Sequence, residues 1–221
     1  LYNFPSNPTG ATITAQQRDE LLAFAQKHDL WIITDEVYDR IVFDSEHVSF
    51  VGCDDERVIL INSFSKTYAM TGWRIGYILS ANKEAMAQMI KIQYYITACS
   101  NDAMQYAVLE AINEADHYPD EMCAEFKARR DLICSRLNAM PGVQCHVPEG
   151  AFYVFPKVEV PGMNSEEVAL ELLKGGVLCS PGSAFGPSGE GHLRFAYTIS
   201  REDISRGMDK TEAVLKSLRG D

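Results

Sequence analysis

The sequence predicts an α/β protein with a mainly parallel sheet, followed by a smaller α+β domain. Up to about residue 80, a helical pattern alternates with short apolar, β-branched runs, which is typical of a parallel sheet covered by helices. Beyond a long helix that begins at Pro119, strands and helices are segregated instead of alternating. We therefore expect two domains, residues 1–118 and residues 119–221.

The first half begins with a predicted helix over residues 15–27. Thr14 and Gln17 stand three apart before an apolar run, a spacing that lets each side chain cap the other's backbone amide. The next apolar run is continuous rather than alternating, so we expect a strand buried on both faces. Strands are predicted at residues 30–34, 58–62 and 74–79.

The second half is predicted to be mainly helical before the pattern changes. Over residues 83–113 apolar residues recur every three or four positions, and we expect Met86, Met89 and Met104 to fill gaps in the core. Pro119 suits the first turn of a long helix that ends near residue 140. Beyond it we predict strands at 143–147, 151–155 and 192–198, and helices at 165–173 and 201–218.

Charge and composition exclude several classes of protein. The chain has 20 basic and 31 acidic residues, for a net charge of −11, which argues against nucleic-acid and membrane-surface partners. No run of about 20 apolar residues suits a membrane-spanning helix. The 6 cysteines form no Cys-x-x-Cys pair and the histidines are scattered, so we expect buried reduced thiols, no metal site and a cytoplasmic location.

The first residues predict that this chain is a fragment. It begins Leu-Tyr-Asn-Phe-Pro, with neither a Met nor a leader sequence, and this sequence is typical of the inside of a domain.

Polar residues at two predicted strand ends are candidates for chemistry, because open α/β sheets bind ligands at the carboxyl ends of their strands. Asp35 follows the strand 30–34, where it either faces a cation or caps a short helix. The segment 63–74, Ser-Phe-Ser-Lys-Thr-Tyr-Ala-Met-Thr-Gly-Trp-Arg, follows the next strand. Its hydroxyls and Arg74 could cradle an anion beside the nucleophile Lys66, or it is a solvated polar loop.

Two further segments carry weaker patterns. The segment 7–10, Asn-Pro-Thr-Gly, is by itself a turn. Arg194 lies among apolar strand residues, where it either meets an anion or forms a salt bridge at an edge strand. The nearby segment 180–186 could close over a ligand or simply connect two elements.

Taken in order, these segments resemble the pyridoxal-phosphate enzymes of fold type I, and more narrowly the class I and II aminotransferases. The shared motifs are Asn-Pro-Thr-Gly, Asp-Glu-Val-Tyr, Ser-x-Ser-Lys with an arginine eight residues after the lysine, and Leu-Arg-Phe near the end of the chain. The segment 63–76 is the most specific and is similar to bacterial aspartate-aminotransferase-like members. The resemblance implies that the chain is the C-terminal part of such an enzyme, and that this part alone exposes apolar surface and is inactive.

The resemblance implies roles for four residues around the cofactor ring. Lys66 is implied to form the internal aldimine and to move a proton between substrate Cα and the cofactor. Asp35 is implied to face the pyridine nitrogen and keep it protonated. Asn7 and Tyr38 are implied to hydrogen-bond the phenolic oxygen, with Tyr38 counted among the catalytic residues and Asn7 also near the substrate.

The resemblance assigns the remaining residues to anions. Ser63, Ser65 and Arg74 are implied to hold the phosphate, and Arg194 to grip the α-carboxylate of the substrate. The implied activity is ping-pong transfer of an amino group from an L-amino acid to a 2-oxo acid, in a cytoplasmic homodimer of amino acid metabolism.

Other functions on the same framework stay open at this stage. A carbon–sulfur lyase or an aminocyclopropane-carboxylate-synthase-like enzyme needs the same lysine. A transcriptional regulator could use an aminotransferase-like domain only to sense the cofactor. A generic α/β binding protein would leave the shared order of the four segments unexplained.

Overall fold

The computed structural model describes residues 1–53 and 55–220, which form two compact units. Unit 1 comprises Leu1–Ser6 and Ala11–Cys123, and unit 2 comprises Asn7–Gly10 and Ala124–Asp221. The chain thus passes from unit 1 through four residues of unit 2 and back, which the sequence did not predict. The peptide bonds Phe4–Pro5 and Asn7–Pro8 are cis. No helix within the described ranges is both long enough and apolar enough to cross a bilayer.

Unit 1 is built on a four-stranded sheet of order β1-β2-β3-β4. The first three strands are parallel, and β4 pairs with β3 in the antiparallel direction. The strands are β1 (Tyr2–Asn3), β2 (Ile32–Asp35), β3 (Val58–Ser63) and β4 (Gly76–Leu79). The helices are α1 (Ala15–Lys27), α2 (Phe64–Thr67), α3 (Lys83–Thr97) and α4 (Asp102–Glu114).

Helix α1 packs on the sheet as the sequence predicted. It spans the predicted residues 15–27, and the capping box between Thr14 and Gln17 is present. Below it, buried Ala25, Ile32 and Val58 form a core cluster. This cluster joins the first helix to the first residues of the two central strands.

Three expectations for unit 1 were wrong. Strand β2 is not buried on both faces, because Ile33 is 37 % exposed. Strand β4 begins two residues later than predicted, because a short 3-10 helix and the left-handed backbone of Arg74 precede it. The stretch predicted to be helical forms α3 and α4 with a break at Ala98 (φ 61°), but none of the residues described in α3 is buried, so Met86 and Met89 fill no core. In α4, Met104 is likewise only half-buried.

Unit 2 packs short antiparallel strands against three helices. One sheet pairs β5 with β7, and the other has the order β6-β9-β8. The strands are β5 (Val143–Gln144), β6 (Tyr153–Val154), β7 (Lys157–Val158), β8 (Ser180–Pro181) and β9 (Leu193–Ala196). The helices are α5 (Tyr118–Asn138), which starts in unit 1, α6 (Ser165–Lys174) and α7 (Arg201–Arg219). Its most deeply buried side chains include Leu137, Leu172, Leu193, Tyr197 and Leu215.

The cysteines are free thiols, but they are not uniformly buried as expected. Only Cys134 and Cys145 are buried, and their sulfur atoms lie 3.9 Å apart. Cys99 is exposed, and the other three are half-buried.

Candidate active site

The carboxyl ends of β2 and β3 lie at one edge of the unit 1 sheet. Asp35, the last residue of β2, is in register with Ile61, two residues before β3 ends at Ser63. Because neighbouring strands lie about 4.8 Å apart, Asp35 and Ser63 flank the same edge. Helix α2 begins directly after Ser63 and carries Lys66, which is half-buried. The sheet therefore brings the carboxylate-bearing and the lysine-bearing segments together.

The antiparallel strand β4 brings Arg74 to this same edge. Ser63 is in register with Gly76, so Arg74 stands two residues outside the strand beside the end of β3. A Cβ on Gly76 would lie 2.6 Å from the Asn62 carbonyl oxygen, so this pairing requires glycine. Arg74 has a left-handed backbone (φ 54°), which is costly for a residue with a Cβ. Its Nη1 donates to the Thr71 carbonyl oxygen at 2.8 Å, which orients the guanidinium.

Asp35 is half-buried and forms a turn rather than a helix cap. Its Oδ1 accepts the Val37 amide proton at 3.2 Å, and the residues that follow form a turn, so the alternative of a helix N-cap was wrong. The side-chain nitrogen of Asn3 donates to the carbonyl oxygen of Asp35 at 3.2 Å. A carboxylate accepts up to about four hydrogen bonds, so Asp35 has capacity for a further donor.

A second carboxylate, Asp39, links the segment after β2 to the segment that carries Lys66. Its two oxygens accept from Asn62 Nδ2 at 2.9 Å and from Thr67 Oγ1 at 3.0 Å. Asn62 Oδ1 in turn accepts the Ser63 amide proton at 2.6 Å. Sequence reasoning missed this support, although an asparagine ending an apolar strand was visible. These bonds hold the start of α2 in place.

Glu36, next to Asp35, is buried and fully engaged with the protein. Its carboxylate accepts from His47 Nε2 at 2.8 Å, Ser49 Oγ at 2.6 Å and the Phe50 amide at 3.0 Å. Burial pushes the pKa of Glu36 upward, but these hydrogen bonds outweigh it and leave the pKa below its usual 4.5. The carboxylate therefore anchors the loop 47–50, and no role in chemistry was predicted for it.

A cavity of about 680 Å³ lies at the β3–β4 edge, with Ser63, Ser65 and Arg74 in its lining. Ser63 Oγ accepts the Ser65 amide proton at 3.4 Å, so both hydroxyl protons can be directed to a ligand. Tyr77 also lines it, and burial together with the Asp39 and Glu36 charges raises the pKa of this phenol. The cavity thus presents hydroxyl donors and one guanidinium, which suit an anion, next to apolar side chains of α3. Neither Asp35 nor Lys66 lines it.

In unit 2, the turn 7–10 is held by close backbone packing. Gly10 has φ 69°, and a Cβ there would lie 2.7 Å from the Gly150 carbonyl oxygen. The Gly10 carbonyl oxygen accepts from the Glu149 and Gly150 amides, both at 2.9 Å. The glycine of Asn-Pro-Thr-Gly is therefore required, and it fixes the position of Asn7.

Arg194 on β9 has two side-chain hydrogen bonds and two aromatic contacts. Its Nη1 donates to Asn7 Oδ1 at 2.8 Å and its Nη2 to Ser180 Oγ at 3.1 Å. Its Cζ lies 4.5 Å from the ring centroid of Tyr153 and 4.9 Å from that of Phe185. Its buried Nε has no hydrogen-bond partner among the described residues. An unpaired buried donor is costly, so this site is complete only with an acceptor.

The eight predicted site residues thus fall into two groups. Unit 1 holds Asp35, Ser63, Ser65, Lys66 and Arg74 at one sheet edge, and it holds Tyr38, buried in the turn after β2. Unit 2 holds Asn7 and Arg194 in direct hydrogen-bond contact. Within the described ranges no cluster of His, Cys, Asp or Glu could hold a metal ion.

Comparison with known proteins finds similar enzymes over most of the chain. It is 40 % identical to an aromatic-amino-acid aminotransferase of Thermococcus litoralis, over 99 % of this chain and 57 % of that protein. It is also 40 % identical to an aspartate aminotransferase of Thermotoga maritima, over 98 % of this chain and 56 % of that protein. The chain therefore spans a little over half the length of these relatives.

Solved structures give the same result. An aromatic aminotransferase from Pyrococcus horikoshii superposes with a TM-score of 0.92 at 40 % identity, over 98 % of this chain and 59 % of that one. The sequence model described as "Aminotransferase class I and II" matches residues 1–210. The α/β fold is the fold type I that the resemblance implied. The chain belongs to the class I and II aminotransferases, a family of pyridoxal-phosphate-dependent enzymes.

Proposed function

We propose that the complete protein containing this chain transfers the amino group of an L-amino acid to a 2-oxo acid, with pyridoxal phosphate as cofactor. The observation that carries this proposal is the strand register, by which the segments bearing Asp35, Lys66 and Arg74 all lie at the edge where β2 and β3 end. The aminotransferase relatives support the same reaction. No observation favours a lyase, a sensor domain or a generic binding protein.

The residues of unit 1 fit the cofactor on chemical grounds. Ser63, Ser65 and Arg74 offer hydroxyl and guanidinium donors to the phosphate along the cavity. Asp35 has free acceptor capacity for the protonated ring nitrogen. Following the family resemblance, we assign Tyr38 of unit 1 and Asn7 of unit 2 as donors to the phenolic oxygen. When bound, pyridoxal phosphate supplies an aldehyde that takes up the amino group and a ring that withdraws electrons from substrate Cα.

The chain's own residues then perform the binding and the proton transfer. Lys66 would hold the cofactor through its side-chain nitrogen and would carry the proton at substrate Cα. Asp35 would accept a hydrogen bond from the ring nitrogen and so favour the protonated form of the ring. Arg194 binds the α-carboxylate, and its unpaired Nε fits a guanidinium that completes its hydrogen bonds with substrate.

The proposed assembly and location follow the same family. We propose a homodimer, supported by exposed apolar side chains on α3 and α4, among them Tyr95, Ile96 and Tyr106, each more than 70 % exposed. We propose a cytoplasmic location because the cysteines are free thiols, which suits a reducing compartment. Light scattering of the complete protein and cell fractionation test these two points.

Substitution of Lys66 tests the function. In the complete protein, Lys66→Ala should lower amino transfer by at least about 1,000-fold, since it removes both the covalent tether and the proton carrier. Lys66→Arg is the matched control that keeps the charge, and it should be equally inactive. Full activity of either variant would overturn the proposal. Release of ammonia and a 2-oxo acid without transfer to an acceptor would instead indicate a lyase.

A further inference from the structure

The surroundings of Arg194 restrict its guanidinium in two different ways. The rings of Tyr153 and Phe185 lie 4.5 and 4.9 Å from its Cζ and resist movement of the group toward either ring. Stacking is weakly directional within the ring plane, so these contacts leave rotation of the guanidinium in its own plane unhindered. Hydrogen bonds must supply that remaining restraint.

Two hydrogen bonds restrain this rotation, and they act on different nitrogens. Asn7 Oδ1 accepts from Nη1, and Ser180 Oγ accepts from Nη2. A single hydrogen bond would still let the guanidinium rotate in its own plane, whereas two bonds to two different nitrogens prevent this rotation. Ser180 is the directly paired residue of Arg194 across the β8–β9 ladder, so the backbone itself sets their separation.

We propose that Ser180 is a positioning residue for Arg194 in binding the α-carboxylate, an inference that rests on the proposed function. Its hydroxyl accepts the Nη2 proton and holds the guanidinium in the orientation that a carboxylate requires. A guanidinium carries five N–H donors, so three remain for the carboxylate after the bonds to Asn7 and Ser180. The unpaired buried Nε is one of these three.

This role predicts a specific kinetic signature. The α-carboxylate is common to the amino acid and the oxo acid, so loss of the Ser180 hydrogen bond weakens the binding of both substrates by the same factor. The carboxylate takes no part in bond making, so the interaction is equally strong before and during the reaction. Loss of such uniform binding raises KM and leaves kcat unchanged.

The matched variants Ser180→Val and Ser180→Thr test the inference in the complete, cofactor-loaded protein. They have nearly the same shape, but only threonine retains a hydroxyl. Ser180→Val should raise KM for donor and acceptor by about 3- to 10-fold with kcat within about 2-fold, the loss expected for one neutral hydrogen bond. Ser180→Thr should stay within about 2-fold of the original protein in both constants.

A binding measurement supplies a second readout that needs no turnover. Titration calorimetry with 3-phenylpropionate, a carboxylate without an amine, should give the same rise in Kd for Ser180→Val and none for Ser180→Thr. Equal constants for both variants, or a fall in kcat without a change in KM, would overturn the positioning role.

The outcomes separate this inference from the function on which it rests. Active original protein with an unaffected Ser180→Val variant overturns the role of Ser180 and leaves the function intact. Original protein that transfers no amino group overturns the function. In that case the calorimetry still decides for Ser180, because the absence of a difference between the variants, or of any binding, overturns it.

Discussion

The two units hold the two arginines that we propose to bind anions by different means. Arg74 in unit 1 is exposed, has a left-handed backbone and is oriented by one bond to the main-chain oxygen of Thr71. Arg194 in unit 2 is half-buried on a strand, lies over two aromatic rings and donates hydrogen bonds to two side chains. The first arrangement suits a multiply charged phosphate that stays bound and tolerates varied donors. The second suits a carboxylate that must be recognised anew in every cycle.

The same conservative substitution at both arginines breaks or confirms this comparison. Arg194→Lys keeps the charge but loses the planar fork, both ring contacts and one of the two side-chain bonds. We expect kcat/KM to fall by about 100-fold, mostly through KM of donor and acceptor alike. Steady-state kinetics of the complete protein give the result. A change below about 3-fold would show that charge alone is recognised.

A buried charge supports the unit 1 site, and its removal should cost stability. Glu36→Gln keeps the shape but removes the charge that His47, Ser49 and Phe50 bind. We expect the free energy of unfolding to fall by about 2 kcal/mol at neutral pH. Denaturant unfolding measures this loss, and Glu46→Gln on the exposed loop nearby is the control, with no change expected.

The pH dependence of this variant follows from the sign of the shift. Hydrogen bonds outweigh burial and hold the folded pKa of Glu36 below 4.5, so its stabilisation is fully present above about pH 4.5. It is lost as the pH falls through the lower folded value. The difference between original and Glu36→Gln protein should therefore shrink in acid. A constant difference across that range would contradict the role of the charge.

Arg74→Lys should have a smaller effect than Arg194→Lys or Glu36→Gln. A lysine also binds phosphate well as a point charge, and Ser63 and Ser65 remain in the cavity. We expect the affinity for pyridoxal phosphate to fall by only about 3-fold, measured by fluorescence titration of the cofactor-free protein. A loss as large as that of Arg194→Lys would remove the contrast between the two arginines.

Local chemistry explains what the sequence predicted well. The capping box of Thr14 and Gln17 sets the start of α1, and runs of β-branched residues set β2 and β3. The order of the motifs then placed Asp35 and Lys66 at one sheet edge. These features depend on neighbours in sequence or on a regular repeat, so a single sequence contains them.

Features that depend on tertiary pairing were beyond the sequence. The break after α3 contains neither Gly nor Pro. It occurs at Ala98, which has a positive φ of 61° that its residue type does not predict. The bond between Ser180 and Arg194 depends on the register of a strand only two residues long, for which no periodicity exists. The sequence predicted that segment 180–186 is a loop that closes over a ligand or simply connects two elements, and it did not indicate which side chain contacts Arg194.

The central claim is that Lys66 joins covalently to pyridoxal phosphate, and borohydride trapping tests it most directly. The complete protein is incubated with the cofactor, reduced with borohydride, digested and mapped by mass spectrometry. We predict the mass of the reduced cofactor on the peptide that contains Lys66 and on no other lysine. Label on a different lysine, or no label on a folded protein, would contradict the account.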